Sequence, residues 1–149
     1  MMQIFLLAIF FLSTLIFMEA LTWAVHKYVM HGFLWVLHED HHQNNHHRFE
    51  KNDLFAVIFG VPTASLIIFA LHSHHTLLTV IGFGVATYGV FYYLLHDVIF
   101  HKRLSFFHIK PKHPYLIRLT RAHVAHHLIK EKENAVSMGF LYAPKKFAS

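Results

Sequence analysis

An all-α integral membrane bundle, with at least three spanning helices and a histidine-rich cap at one face, is what this sequence predicts, on three observations. Of its 149 residues 55% are hydrophobic and only 14% charged, and the mean hydropathy is +0.40, a balance unusual for a soluble domain. Three stretches come near the roughly 20 apolar residues that a helix needs to cross the hydrocarbon core. Residues 1–25 carry one charge, Glu19, and residues 54–71 and 77–95 carry none. The third observation is the seventeen histidines, most of which lie just beyond those stretches. A chain of this length is expected to form a single domain, residues 1–149.

The first stretch reads as a retained spanning helix rather than a secretory signal, because it lacks a basic start and a small-residue cleavage site and exceeds the usual apolar length. A helix is expected over 1–31, projecting past the membrane, then a short helix or turn over 38–42. Helices over 54–71 and 77–101 flank the turn His72-Ser73-His74-His75-Thr76. Pro111 and Pro114 separate the last of these from an amphipathic helix over 115–131. Gly82, Ala86 and Gly89 form a small-residue stripe on the third spanning helix, which reads as close helix packing or as room for a rigid ligand.

Counting passes puts the clustered histidines on one side of the membrane. All thirteen Lys and Arg fall on that side too, and none in the opposite turn. Under the positive-inside rule that side is the cytoplasm. The net charge of +5 is therefore read as a juxtamembrane surface attracted to anionic lipid, or as a docking face for an acidic soluble partner, and not as nucleic-acid binding. With no cysteine, disulfides, thiolate metal sites and cysteine nucleophiles are excluded.

Ten histidines form four clusters: His26/His31, His38/His41/His42, His96/His101 and His123/His126/His127. On a helix, residues three and four apart share a face, so each triplet points into one sector and can supply two or three ligands. Members of a five-residue pair are about 140° apart on a regular α-helix; the pairs serve different ions or span a local unwinding. Imidazole suits Fe, Zn, Cu and Ni. Zinc sites usually take about four ligands, so ten histidines fit a dinuclear site better, with up to five nitrogens per ion and a position left for oxygen. The remaining seven, His46, His47, His72, His74, His75, His108 and His113, read as solvated or interfacial.

Ligand imidazoles need acceptors for their second N–H. Asp97, four residues before His101, shares its face and is the first candidate. Glu19, a carboxylate in an apolar run and thus costly to place, is expected to bond a ligand from another helix or to make a structural interhelical bond.

The stretches His26-Lys27-Tyr28-Val29-Met30-His31, His38-Glu39-Asp40-His41-His42, His96-Asp97-Val98-Ile99-Phe100-His101 and His123-Val124-Ala125-His126-His127 resemble the histidine boxes of the membrane fatty acid hydroxylase superfamily, and within it the bacterial carotenoid β-ring 3-hydroxylases. The likeness extends through Met18-Glu19, Asn52-Asp53-Leu54, Tyr88-Gly89, Leu95-His96-Asp97 and the tail Val136–Pro144, nearly the whole chain. It implies a non-haem di-iron monooxygenase of the bacterial inner membrane. Such an enzyme takes electrons from a ferredoxin-type donor and inserts one atom of O₂ at ring carbon 3, converting β-carotene to β-cryptoxanthin and then zeaxanthin. Zinc, which has no redox chemistry, could still occupy an isolated sample. Related boxes occur in desaturases and ketolases, which the product would distinguish. A metal transporter would need polar groups continuing across the bilayer, and the second and third spanning stretches offer no charge.

Overall fold

The computed structural model describes residues 1–43, 49–104, 106 and 109–148, so His46, His47 and His108 lie outside the described residues. Helix α1, Met2–Val25, runs directly into a π-helical segment, His26–Phe33. The backbone breaks at Gly32 (φ −111°, ψ −124°) and turns into α2, Trp35–His42. A 3₁₀ turn, Lys51–Asp53, leads into α3, Leu54–His72. Helix α4, Thr76–Tyr92, is prolonged by a second π segment, Tyr93–Phe100, and α5 spans Pro114–His127. Among the described residues there is no strand.

Three helices are long and apolar enough to cross a membrane: Met2–Phe33, Lys51–His72 and Thr76–Phe100. The end of the first, the start of the second and the end of the third face the same side, where α2 and α5 form a cap. Large side chains such as Phe5, Ile16, Phe17, Ile68 and Phe69 are exposed along the spans, as suits helices whose outer solvent is lipid.

Hydrocarbon gives apolar helices no hydrophobic reason to associate, so close packing through small residues takes over. Helix α4 packs against both α3 and α1. A Cβ at Gly82 would come within 2.7 Å of Ile67 Cγ1, and one at Gly84 within 2.9 Å of Thr14. Gly89 differs: a Cβ there would meet nothing within 4 Å, because Gly89 and Ala86 line a cavity between α1 and α3. The small-residue stripe thus serves packing at one depth and open space at another.

The cap is held to the end of α4 by a cluster of Leu119, Ala122 and Ala143, against which Phe100, Leu116 and Phe147 pack. Pro114 starts α5, where a missing N–H costs nothing, and His113 Nδ1 accepts from the Tyr115 N–H at 3.2 Å. The helix ends at His127 rather than at the expected 131. Beyond that point the Ile129 and Lys132 carbonyls are aimed at His42 and His31, and backbone directed outward in this way cannot continue the helical ladder.

Candidate metal centre

The two π segments decide where the five-residue pairs point. In π geometry a backbone bond closes over five residues instead of four, so positions five apart return to nearly one face. The His101 N–H donates to the His96 carbonyl at 2.9 Å, and the two rings lie 4.5 Å apart. His26 and His31 are likewise neighbours, with rings 5.1 Å apart. Of the two readings of these pairs, local unwinding is the one found, and service of different ions is corrected: each pair enters a single cluster.

His26, His31, His38, His42 and His126 converge in one group, and His41, His96, His101, His123 and His127 in another, each offering one ligand atom within 4.8 Å of the others. The triplets are divided, which corrects the expectation that each points into one sector. His38 and His42 go to the first group and His41 to the second; His123 and His127 go to the second and His126 to the first. At about 100° per residue, adjacent positions on α2 or α5 diverge enough to reach centres on either side. The groups adjoin, since the His42 and His127 rings stack at 4.7 Å.

Burial makes these imidazoles neutral. His38, His42 and His126 are 2%, 0% and 1% exposed. Desolvation, reinforced by neighbouring imidazoles, lowers His38 to about 2, His42 to about 4, and His101 and His126 to about 3. The same cause holds His41, His123 and His127 well below the ordinary histidine range. Neutral imidazole is the form that binds a metal.

Facing ring nitrogens crowd together: Nε2 to Nε2 is 3.1 Å for His26–His38, 3.2 Å for His31–His126 and for His42–His38, 3.1 Å for His41–His96 and 2.7 Å for His123–His101. The buried His127 Nε2 has no hydrogen-bond partner among the described residues. Two nitrogens side by side on one ion, each about 2.1 Å from it, lie about 3 Å apart. The donor set, the spacing and the orphaned nitrogen all fit one metal ion per group.

Each group has its own means of orienting the rings. In the first, the Nδ1 atoms of His42, His31, His126 and His26 lie 2.8, 2.9, 2.8 and 3.1 Å from the carbonyl oxygens of Ile129, Lys132, Val136 and Met138, and His38 Nδ1 lies 2.7 Å from Asn52 Oδ1. In the second, His41 Nδ1 pairs with Glu50 Oε2 at 2.7 Å, and Asp97 Oδ1 stands 3.5 Å from His96 Nδ1, beyond good hydrogen-bond length. Burial pushes the Glu50 carboxyl above its ordinary range. Arg103 ties this side together, donating to Asp53 at 2.5 and 2.8 Å and to Asp97 at 3.1 Å.

Two expectations change here. Asp97 is beside His96 rather than bonded to His101, and its hydrogen bond runs to Arg103. Among the described residues Glu19 bonds to no histidine; it accepts from Tyr88 and from backbone N–H groups of the tail, the structural alternative. Glu50, Asn52 and Arg103 were not singled out from sequence, although Asn52 lies within one of the matching stretches. His72, His74 and His75 are exposed in the opposite turn, and His113 caps α5.

The cavity of about 560 Å³ between α1, α3 and α4 reaches this centre from the membrane side. Its walls are mostly apolar, with Gly60, Ala64, Ala86 and Gly89 giving width, and its inner end is made by Asn52, Tyr92, His96 and Asp97. Tyr92 stacks on His96 at 4.6 Å. A second groove shares Met18, Leu21, Phe59, Thr63 and Val85 with the cavity, so the apolar path continues along the helices.

Residues 11–142 match the fatty acid hydroxylase family. The chain belongs to that family. It is similar to the beta-carotene hydroxylase of Pantoea ananas, 43% identical over 131 residues, covering 88% of this chain and 74% of the relative. The beta-carotene hydroxylase of Paracoccus sp. (strain PC1) is 39% identical over 134 residues, 89% of this chain and 81% of the relative. A chloroplastic beta-carotene 3-hydroxylase of Gentiana lutea is 35% identical over 128 residues, 83% of this chain but 38% of that longer protein. No solved structure matches the chain. As a fatty acid hydroxylase family member, it is an oxidoreductase embedded in the membrane.

Proposed function

We propose that this membrane enzyme hydroxylates carotenoid β-rings at carbon 3, with an iron ion in each five-histidine group, O₂ as co-substrate and a ferredoxin-type electron donor. One observation carries the reading: an apolar cavity, open along the spanning helices, ends on His96 and Asp97 at the edge of the histidine groups. Its volume falls in the range of about 300–1,000 Å³ usual for ligand sites and suits a ring with the start of its chain. The names and similarity of the bacterial relatives support carotenoid as that ring's source.

The ring's C–H bond has no activating neighbour, so bound iron supplies the redox chemistry that no side chain here can. In the net reaction one oxygen atom enters the C–H bond and the other leaves as water, with two electrons delivered by the donor and two protons taken up from solvent. The chain's own tasks are positional. The walls of α1, α3 and α4 exclude water and admit the ring from the bilayer. Tyr92 forms the floor and presses on His96, while Asn52, Glu50 and the tail carbonyls hold the imidazoles in fixed tautomers. The Lys- and Arg-bearing cap is read as facing the cytoplasm of a bacterial inner membrane, where an acidic electron donor can dock.

Expression in cells that accumulate β-carotene tests the reading. Mono- and dihydroxylated pigment should appear with the intact chain and not with His126→Ala. An alkene or ketone product would identify the desaturase or ketolase alternative instead. Unchanged pigment from iron-loaded, reductant-supplied protein would mean another lipid substrate.

A further inference from the structure

After α5 the chain from Leu128 to Tyr142 forms no helix or strand, yet its carbonyls at Ile129, Lys132, Val136 and Met138 meet four different histidines. All four belong to the His26 group; among the described residues no tail carbonyl bonds to the His41 group. This path does not hold itself. Asn134 (φ 65°) and Ser137 (φ 60°) both take left-handed backbone, which side-chain-bearing residues rarely adopt unless surrounding contacts impose it.

The contact that imposes it comes from the membrane. Glu19 Oε1, on α1, accepts from the N–H groups of Phe140 (2.9 Å), Leu141 (2.8 Å) and Tyr142 (3.1 Å). Its Oε2 accepts from the hydroxyl of Tyr88, on α4, at 2.7 Å. The tail backbone lies directly on the carboxylate: a Cβ at Gly139 would be 3.3 Å from Glu19 Oε1. One side chain therefore joins α1, α4 and the tail, two residues beyond the Met138 carbonyl that meets His26.

We propose that Glu19 is a positioning residue that latches the tail onto the His26 group, so that its loss releases the metal of that group and spares the metal of the His41 group. Without the carboxylate three N–H groups lose their acceptor, those of Phe140 and Leu141 where the bonds are part-buried, and the four carbonyls are no longer held against their imidazoles. In the other group His41 is oriented by Glu50, and among the described residues the tail offers its rings no carbonyl; Phe140 touches that side only through Tyr92 and Phe100. This rests on the reading that each group holds one metal ion.

The test is iron counted per chain after anaerobic reconstitution with Fe(II) and removal of loosely bound ion. Two are expected for the unaltered protein, one for Glu19→Leu, and two for Glu19→Gln, which keeps an oxygen acceptor. Leu141→Pro removes one of the three N–H donors outside the membrane, so it tests the latch even if Glu19→Leu does not fold. It should speed chelator release of one iron at least tenfold, the order seen when groups supporting a metal ligand are lost. Paired backgrounds assign the lost ion. Added to His38→Ala/His42→Ala, Glu19→Leu should still leave one iron; added to His123→Ala/His127→Ala it should leave none. Retention of both irons or equal loss of both in Glu19→Leu, or release of both irons from Leu141→Pro at the unaltered rate or equally accelerated, overturns the latch. Fewer than two irons in the unaltered protein overturns the one-metal-per-group reading beneath it.

Discussion

The two histidine groups use the same ligand type and the same count, but they are oriented by opposite means. The His26 group leans on neutral backbone carbonyls of an irregular tail and on Asn52; the His41 group has carboxylates, Glu50 bonded to His41 and Asp97 beside His96, with Arg103 bracing Asp97. The difference teaches that one centre depends on where the chain runs and the other on which charges stand near it. A carboxylate acceptor makes an imidazole a stronger donor than a carbonyl does, so the two positions are chemically unequal. The apolar cavity reaches His96 and Asp97 on the carboxylate-backed side.

The largest effect should come from removing ligands on either side of this comparison. His126→Ala and His101→Ala should each abolish hydroxylation, by at least about 100-fold, whereas His74→Ala in the far turn should leave it largely intact. Equal loss in all three at normal expression would contradict the ligand assignment. Plugging the cavity comes next. Gly89→Phe extends a ring into space where a Cβ meets nothing within 4 Å; turnover should fall at least about tenfold with iron content unchanged. Activity at the original level would place the ring elsewhere.

A smaller and more selective pair separates the two supports. Glu50→Gln should weaken metal binding in the His41 group by about 10-fold or more, and Asn52→Leu that in the His26 group, each sparing the other. Chelator-release kinetics would show one fast and one slow phase in both variants; a uniform acceleration would mean that the supports are shared. The mildest prediction concerns acid. The buried His38, His42 and His126 and the half-buried His101 sit below the ordinary value of 6.5, so the unfolded chain takes up more protons than the folded one as pH falls through 6.5. Stability should therefore be level above that pH and decline below it. Helical signal and bound iron should fall together on acidification from pH 7 to 5. Iron lost while helicity stays full would show the groups titrating in the folded state.

Much of the architecture is legible in the sequence because hydrophobicity is additive along the chain. Three uncharged or nearly uncharged runs lie where spanning helices are found, and the ten clustered histidines are the ten that converge. The short helix over 38–42 is also found, within Trp35–His42. Partner choice was less legible. Asp97 shares a helical face with His101 by spacing, but the π turn rotates the frame and places it by His96. Glu50 and Arg103 look like ordinary interfacial charges until α2, the turn before α3 and the end of α4 are brought together.

What the sequence alone determined is the membrane class, the gathering of the clustered histidines at one end of the spanning runs and the number of imidazoles available, since each follows from residue type and order. Tertiary structure decided how those imidazoles are shared. A backbone bond closing over five residues brought each pair to one centre, a 100° step split each triplet between two, and a tail with no periodic pattern supplied four carbonyls from across the fold. Those outcomes depend on backbone path and on contacts between residues a hundred or more positions apart, as Glu19 and Leu141 are, and no local pattern encodes such distances.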